Sequence, residues 1–147
     1  MLASCPACWR GRDRTALWVY SRELEDSTVE VPAELAGLNI PRDVRIYEIN
    51  GPFFFGAAET FTSTIQSLGR FPRVLIVRMR NVPAIDATGI MVLRNMCKQV
   101  RASKGRVIIS EIHSQPHLAL ESSGFYEEFG EDVLATTIVE ALELAKG

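Results

Sequence analysis

Asp86, Ala87, Thr88 and Gly89 fall in the run NVPAIDATGIMVL, residues 81–93, where an apolar strand passes through Pro83 and becomes an apolar-periodic helix. Packing, anion binding, catalysis and a phosphorylation switch all fit such a join. An aspartate ahead of a helix caps it, because its carboxylate accepts from free first-turn amides and the helix dipole favours its charge. The small residues let the turn lie close to its neighbours. A helix N-terminus at a strand end also attracts anions and partners. Catalysis has the least support, since no histidine or serine stands near Asp86 in sequence to complete a triad. No phosphate loop of the form GxxxxGK[ST] or GxGxxG is present.

The remaining chemistry-bearing residues are scattered. Cys5 and Cys8 form a CPAC pair. Zinc needs a fuller ligand set and no second C-x-x-C is present, so no metal is expected. His113 and His117 are four residues apart but lack the acidic pattern of a metalloprotease helix; they read as exposed loop histidines. Glu121, Glu127, Glu128 and Glu131 read as an acidic surface run, not a catalytic pair. Phe53, Phe54 and Phe55 have no basic residues between them, which makes them core or interface rather than a base-stacking platform. No catalytic residue and no cofactor are expected from these residues.

The elements that must position these residues belong to one domain. A chain of 147 residues that is 47% hydrophobic can bury a core of its own. Sixteen basic and eighteen acidic residues give a net charge of -2, with no broad footprint for nucleic acid. The longest apolar runs, 74–77 and 90–93, are too short to span a bilayer. The start MLASCPACWRGRDR has no sustained apolar run and reads as no signal peptide. An odd cysteine count without a secretion signal favours a reducing compartment.

Residues 1–43 show no steady period. Arg10, Arg12 and Arg14 precede an acidic RELED that opens with Arg22, and Pro32, Gly37 and Pro41 interrupt the rest of the segment. It reads as a linker with one short strand near 16–20. VRIYEIN is a strand ending at the turn Asn50-Gly51-Pro52, and FFFG reads as a second strand, which a tight turn would pair antiparallel. Ala58, Phe61, Ile65 and Leu68 recur at helical spacing before Gly69. RVLIVRM reads as a strand buried on both faces. Ile90, Leu93, Cys97 and Val100 mark the next helix, which Arg101, Lys104 and Gly105 close. RVIIS is a strand, 115–123 a short helix, and 125–135 the place for an edge strand. Thr137 and Glu140 form a capping box before the last helix. The order β-β-α-β-α-β-α-(β)-α predicts an α/β fold: a mixed, mostly parallel sheet of four to five strands with about four helices.

That order, with the stretches IYEINGPFFFGAAETF, RVLIVRMRNVPAIDATG and EALELA, resembles a STAS domain over about residues 44–147. More narrowly, it resembles the cytoplasmic C-terminal STAS domain of SulP-type (sulphate permease) anion transporters. The motifs that carry the resemblance are G-P-x-F-F after the first strand and D-x-[ST]-G before the second helix. The stretch 1–43 is similar only in RELED and in its place upstream. The resemblance implies an anti-anti-sigma-like fold and a non-catalytic regulatory and protein-interaction role. It implies a place at the cytoplasmic face of the inner membrane, and the membrane domain of an anion transporter as partner. No membrane-spanning run is present, so it also implies a separated portion of such a transporter. An acidic carrier or another regulatory protein is the further partner, and the resemblance alone admits a nucleotide. The family's other branch, the bacterial anti-anti-sigma factors, gives the second reading: a free-standing signalling protein. In that branch a serine directly after the aspartate is phosphorylated. Its position falls on Ala87, which has no hydroxyl, and this favours the transporter branch. The expected interaction surface is the 86–89 loop with a basic stripe of Arg94, Lys98 and Arg101 on the helix after it.

Overall fold

The β-forming runs meet in one five-stranded sheet of order β1-β2-β3-β4-β5. The strands are β1 (Ala16–Ser21), β2 (Val44–Asn50), β3 (Val74–Asn81), β4 (Arg106–Ser110) and β5 (Leu134–Ala135). A computed structural model describes residues 16–21, 43–54, 58–59, 61–63, 66 and 71–146; for residues 16–21 it describes the backbone. β1 runs antiparallel to β2, and β2 through β5 are mutually parallel. The helices are α1 (Ala87–Ala102), α2 (Ser114–Ser122), α3 (Phe125–Phe129) and α4 (Ile138–Lys146), with a 3-10 turn at Glu131–Val133. Residues 58, 59, 61, 62, 63 and 66 are helical as well. The mixed, mostly parallel α/β architecture is the one expected.

One pairing differs from expectation. β2 and the FFFG stretch do not make a hairpin. Phe53 forms an isolated parallel bridge to Ile85 instead, and Phe54 is a bend. The antiparallel partner of β2 is β1, from the segment read as linker. The physical reason lies in the join. Phe53 donates its amide to the Ala84 carbonyl at 2.9 Å, so the chain after Gly51-Pro52 follows the end of β3 rather than folding back on β2. Cys5, Cys8, Phe55, Ile65, Leu68 and Gly69 lie outside the described residues.

β3 is buried on both faces over Val74–Met79, as a mainly apolar central strand of a parallel sheet should be. Side chains alternate along a strand. Leu75, Val77 and Met79 therefore pack with Phe61 and with Leu93, Met96, Cys97 and Val100 of α1. Val74 and Ile76 face the other way, onto Ile138, Ala141, Leu142 and Ala145 of α4. Fully burying one such large side chain contributes about 1.5–3 kcal/mol, so both layers are needed to hold the strand ends in place.

The helix ends follow the local chemistry. Thr137 Oγ1 accepts from the Glu140 amide at 3.1 Å, while the Glu140 carboxylate accepts from Thr136 N at 2.7 Å, one residue earlier than a standard capping box. At the end of α1 it is Lys104, not Gly105, that takes the left-handed conformation, at φ 63°. Gly105 serves a different need: a Cβ there would stand 2.9 Å from the Pro72 carbonyl oxygen.

Candidate functional site

The 86–89 join is built by close packing at the end of β3. Asp86 is extended (φ -105°, ψ -178°) and its Oδ1 accepts from Gly89 N at 2.9 Å, the N-cap bond. A Cβ on Gly89 would lie 2.4 Å from the Phe53 carbonyl oxygen and 2.7 Å from Ile85 Cγ1. Ile85 N donates to Gln115 Oε1 at 3.0 Å, which ties the loop to α2. Ala87 is exposed at the first helical residue, and Thr88 is half-buried. The acid serves the cap, and the glycine serves the contact with Phe53. Asp86→Ala should therefore destabilise the fold by about 1 kcal/mol, the usual scale for losing an N-cap. Asp86→Asn should cost much less, because the amide oxygen still accepts. Urea midpoints of the two variants check this, and equal midpoints for both would remove the cap assignment.

The basic stripe on α1 is matched from within. Arg94 Nε lies 3.0 Å from Glu128 Oε2, and its Nη2 donates to the Ser123 carbonyl at 2.8 Å. Lys98 Nζ is 3.4 Å from Glu128 Oε1 and remains 57% exposed. Arg101 Nη2 donates to the Phe129 carbonyl at 2.5 Å, with its guanidinium 4.9 Å from the centre of the Phe129 ring. The structure thus gathers the three cations along one flank of α1, against α3. One of the acidic-run residues, Glu128, takes charge from two of them. Exposed pairs of this kind contribute roughly 0–1 kcal/mol each.

The other nucleophiles and bases are separated. His113 Nε2 donates to the Arg80 carbonyl, whereas His117 Nδ1 is hydrogen-bonded to the Tyr126 hydroxyl at 2.9 Å. Burial, then the charges of Glu121 and Glu131, push Tyr126 up to about 12, so its hydroxyl keeps its proton at neutral pH. Burial pushes the Cys97 thiol up to about 12 against the opposing pull of Arg101, which leaves almost no thiolate to attack a substrate.

Sequence reasoning missed a buried ionic row across the C-terminal ends of the strands. Glu48 on β2 is in register with Arg78 on β3, and Arg78 with Ser110 on β4. Arg78 is 2% exposed and Glu48 7%. Arg78 Nη1 donates to Glu48 Oε2 at 3.2 Å; its Nε and Nη2 donate to the two oxygens of Glu111, the second at 3.3 Å. Asn81 Nδ2 donates to Glu48 Oε1 at 3.3 Å and to Asn50 Oδ1 at 2.6 Å. Glu111 adopts φ 58°, a left-handed conformation that costs roughly 1–2 kcal/mol in a residue with a Cβ. Ser110 Oγ is fully buried and has no hydrogen-bond partner among the described residues. The available signal was a pair of opposite charges, Glu48 and Arg78, each set between apolar residues inside its strand.

A groove on the other flank of α1 was also unanticipated. Two depressions of about 200 and 420 Å³ share Thr62 and Val92 between the helical residues 58–66 and α1. No helix of the described residues is long and apolar enough to cross a membrane.

Comparison with known proteins gives a consistent picture. A family model described as STAS domain matches residues 37–142. The putative sulfate transporter YvdB of Bacillus subtilis is 30% identical over 88 residues, which is 59% of this chain and 17% of that protein. The chain thus spans about one sixth of the length of that relative. A sulfate transporter family protein from Wolinella succinogenes is 36% identical, with a TM-score of 0.72 over 80% of this chain and 96% of that one. The SulP transporter STAS domain from Vibrio cholerae is 33% identical, with a TM-score of 0.63 over 78% of this chain and 89% of that one. The fold alone is shared with a putative anti-sigma factor antagonist from Thermotoga maritima, at 20% identity and a TM-score of 0.66 over 74% of this chain and 92% of that one.

Proposed function

The chain belongs to the STAS domain family and is homologous to the STAS domains of SulP transporters, and from this premise we propose that it is a non-catalytic regulatory, protein-interaction domain of a SulP-type sulphate/anion transporter. Its partner is then the transporter's membrane domain, met at the cytoplasmic face of the inner membrane. The contact surface is the 86–89 loop together with α1. The supporting observation is the likeness to transporter-derived domains over most of the chain, at about a third identity.

The second reading, a free-standing signalling protein, has support from the shared fold of the antagonist. Ala87 argues against it. That side chain is exposed at the first residue of α1, where the signalling branch needs a serine, and it has no oxygen to take a phosphate. Thr88 is half-buried beside it. An acidic regulatory protein would be drawn to Lys98, the most exposed cation of the stripe, and that contact would weaken with salt as the screening length falls to about 8 Å.

The test is a titration of this chain against the detergent-solubilised membrane domain of a SulP-type transporter, with Arg94→Glu/Lys98→Glu run beside the wild type. Saturable binding is the expected result. No binding, together with a stoichiometric phosphate taken up from an anti-sigma kinase, would replace the transporter reading with the signalling one.

A further inference from the structure

We propose that the partner's contact on α1 is the nearly uncharged groove on the flank away from α3, and that its occupant is a single neutral amphipathic helix of about three turns. For the identity of the partner this rests on the transporter reading. Thr88, Val92, Asn95 and Gln99 line the α1 side of the groove. Their spacing of four, three and four residues puts them on one stripe of the helix. The stripe is about 16 Å long at 1.5 Å per residue, the length of a three-turn helix. Opposite stand Thr62, Ser63 and Gln66, over a floor of buried Phe61 and Met96. An apolar floor between polar walls is the form of a groove that takes an amphipathic helix. Met96 adds an adaptable, polarisable surface to that floor.

Charge decides among the partner classes. Glu59 is the one charged residue among the lining residues described. An anionic membrane surface, a nucleic acid or an acidic carrier would gain no attraction here. The exposed amides of Gln66, Asn95 and Gln99 each offer both donors and an acceptor. They suit a partner rimmed with uncharged polar groups. The other flank of α1 is already matched, by Glu128 and the Phe129 carbonyl.

Size decides between a helix and a folded partner. A stripe of this length and one helix wide covers far less than the ~800 Å² per partner of a stable interface. A second copy of the chain would therefore be held weakly. A lone helix would also bind weakly in trans. It becomes effective when it belongs to a tethered or pre-assembled chain, where the effective concentration is in the millimolar range. A domain working beside its own transporter meets that condition.

The experiment is an NMR titration of the ¹⁵N-labelled 147-residue chain. The probe is a synthetic three-turn peptide, capped at both ends, with leucine at three- and four-residue spacing and glutamine and serine elsewhere. A counterpart carries glutamate in place of glutamine. Saturable shifts at Thr88, Asn95 and Gln99 are expected with the neutral peptide, unchanged by added salt. Asn95→Trp and, separately, Gln99→Arg should each weaken binding at least about tenfold with the thermal midpoint unchanged; both sites are exposed. Shifts at Arg94, Lys98 and Arg101 instead, equal binding of the glutamate peptide, salt-sensitive binding, or no saturable binding would each overturn the groove. If the membrane domain binds this chain but ignores both variants, the groove falls and the transporter reading stands. If the peptide binds and the membrane domain does not, the reverse holds.

Discussion

Gly89→Ala should lower stability by about 3 kcal/mol, near the upper end of the usual cost of overpacking. Helix propensity alone predicts the opposite sign, a gain of about 1 kcal/mol for alanine over glycine inside a helix. The contacts decide the sign. The new methyl would meet the Phe53 carbonyl oxygen at 2.4 Å, with Ile85 Cγ1 at 2.7 Å and Phe53 Cδ2 at 2.9 Å. The nearest of these is backbone, and it cannot step aside. Phe53 is held by its amide bond to the Ala84 carbonyl at 2.9 Å and by its bridge to Ile85. Its ring is fully buried against Phe61, centroids 5.5 Å apart. Relief would have to come from moving the first turn of α1, which the Asp86 cap holds and where the proposed partner surface begins. For a domain of this size the loss corresponds to a fall in Tm of about 6–12 °C. Ala87→Gly, exposed two residues earlier, should cost no more than about 1 kcal/mol. Calorimetry of the two variants side by side checks the claim. A Gly89→Ala Tm equal to or above wild type would show that the join is not a packing device.

The part of this join that could be read in the sequence is the part encoded locally. Asp86 before a run with helical period announces a cap, and the cap is present with its bond to Gly89 N. The apolar spacing of Leu93, Cys97 and Val100 announces the buried face of α1. The reason for Gly89 was not legible, because its obstacle, Phe53, lies 36 residues earlier and reaches it only through a pairing with Ile85 that no local pattern shows. The same holds for FFFG. Its composition is that of a strand, but the turn at Gly51-Pro52 delivers it to the end of β3, and β2 pairs with β1. The basic stripe is visible in sequence as Arg94, Lys98 and Arg101. Its neutralisation is not, because Glu128 comes from a short helix in a stretch whose pattern suggests an edge strand. The nearly neutral groove, too, depends on two helical stretches placed side by side on one face of the sheet.

Arg78→Ala should be the most damaging single change, at about 3–5 kcal/mol, the range for breaking a buried ion pair by removing one partner. Arg78 lies in a strand otherwise read as apolar, and the register sets it between Glu48 and Ser110. Removing it takes the guanidinium from Glu48, which is 7% exposed and whose contact with Asn81 is long, at 3.3 Å. Glu111 is less affected, since its side chain is 19% exposed and can turn to water. Most of the cost therefore resides at Glu48, which makes the prediction separable. Arg78→Met alone should lose nearly as much as Arg78→Ala, because filling the volume does not restore a partner for the carboxylate. Arg78→Met combined with Glu48→Leu should recover most of the loss, since replacing a whole buried pair by apolar side chains of similar size is often neutral. Arg78→Lys should fall between, keeping the charge but losing the forked contact with both oxygens of Glu111. Guanidinium denaturation of this series gives the ordering directly. If Arg78→Met is as stable as the double variant, the carboxylate of Glu48 was not the group that Arg78 compensates. The outcome bears on function through geometry: the same strand end that Arg78 fixes runs on through Asn81 into the 86–89 loop, and a domain that acts by presenting that loop needs it held in one place.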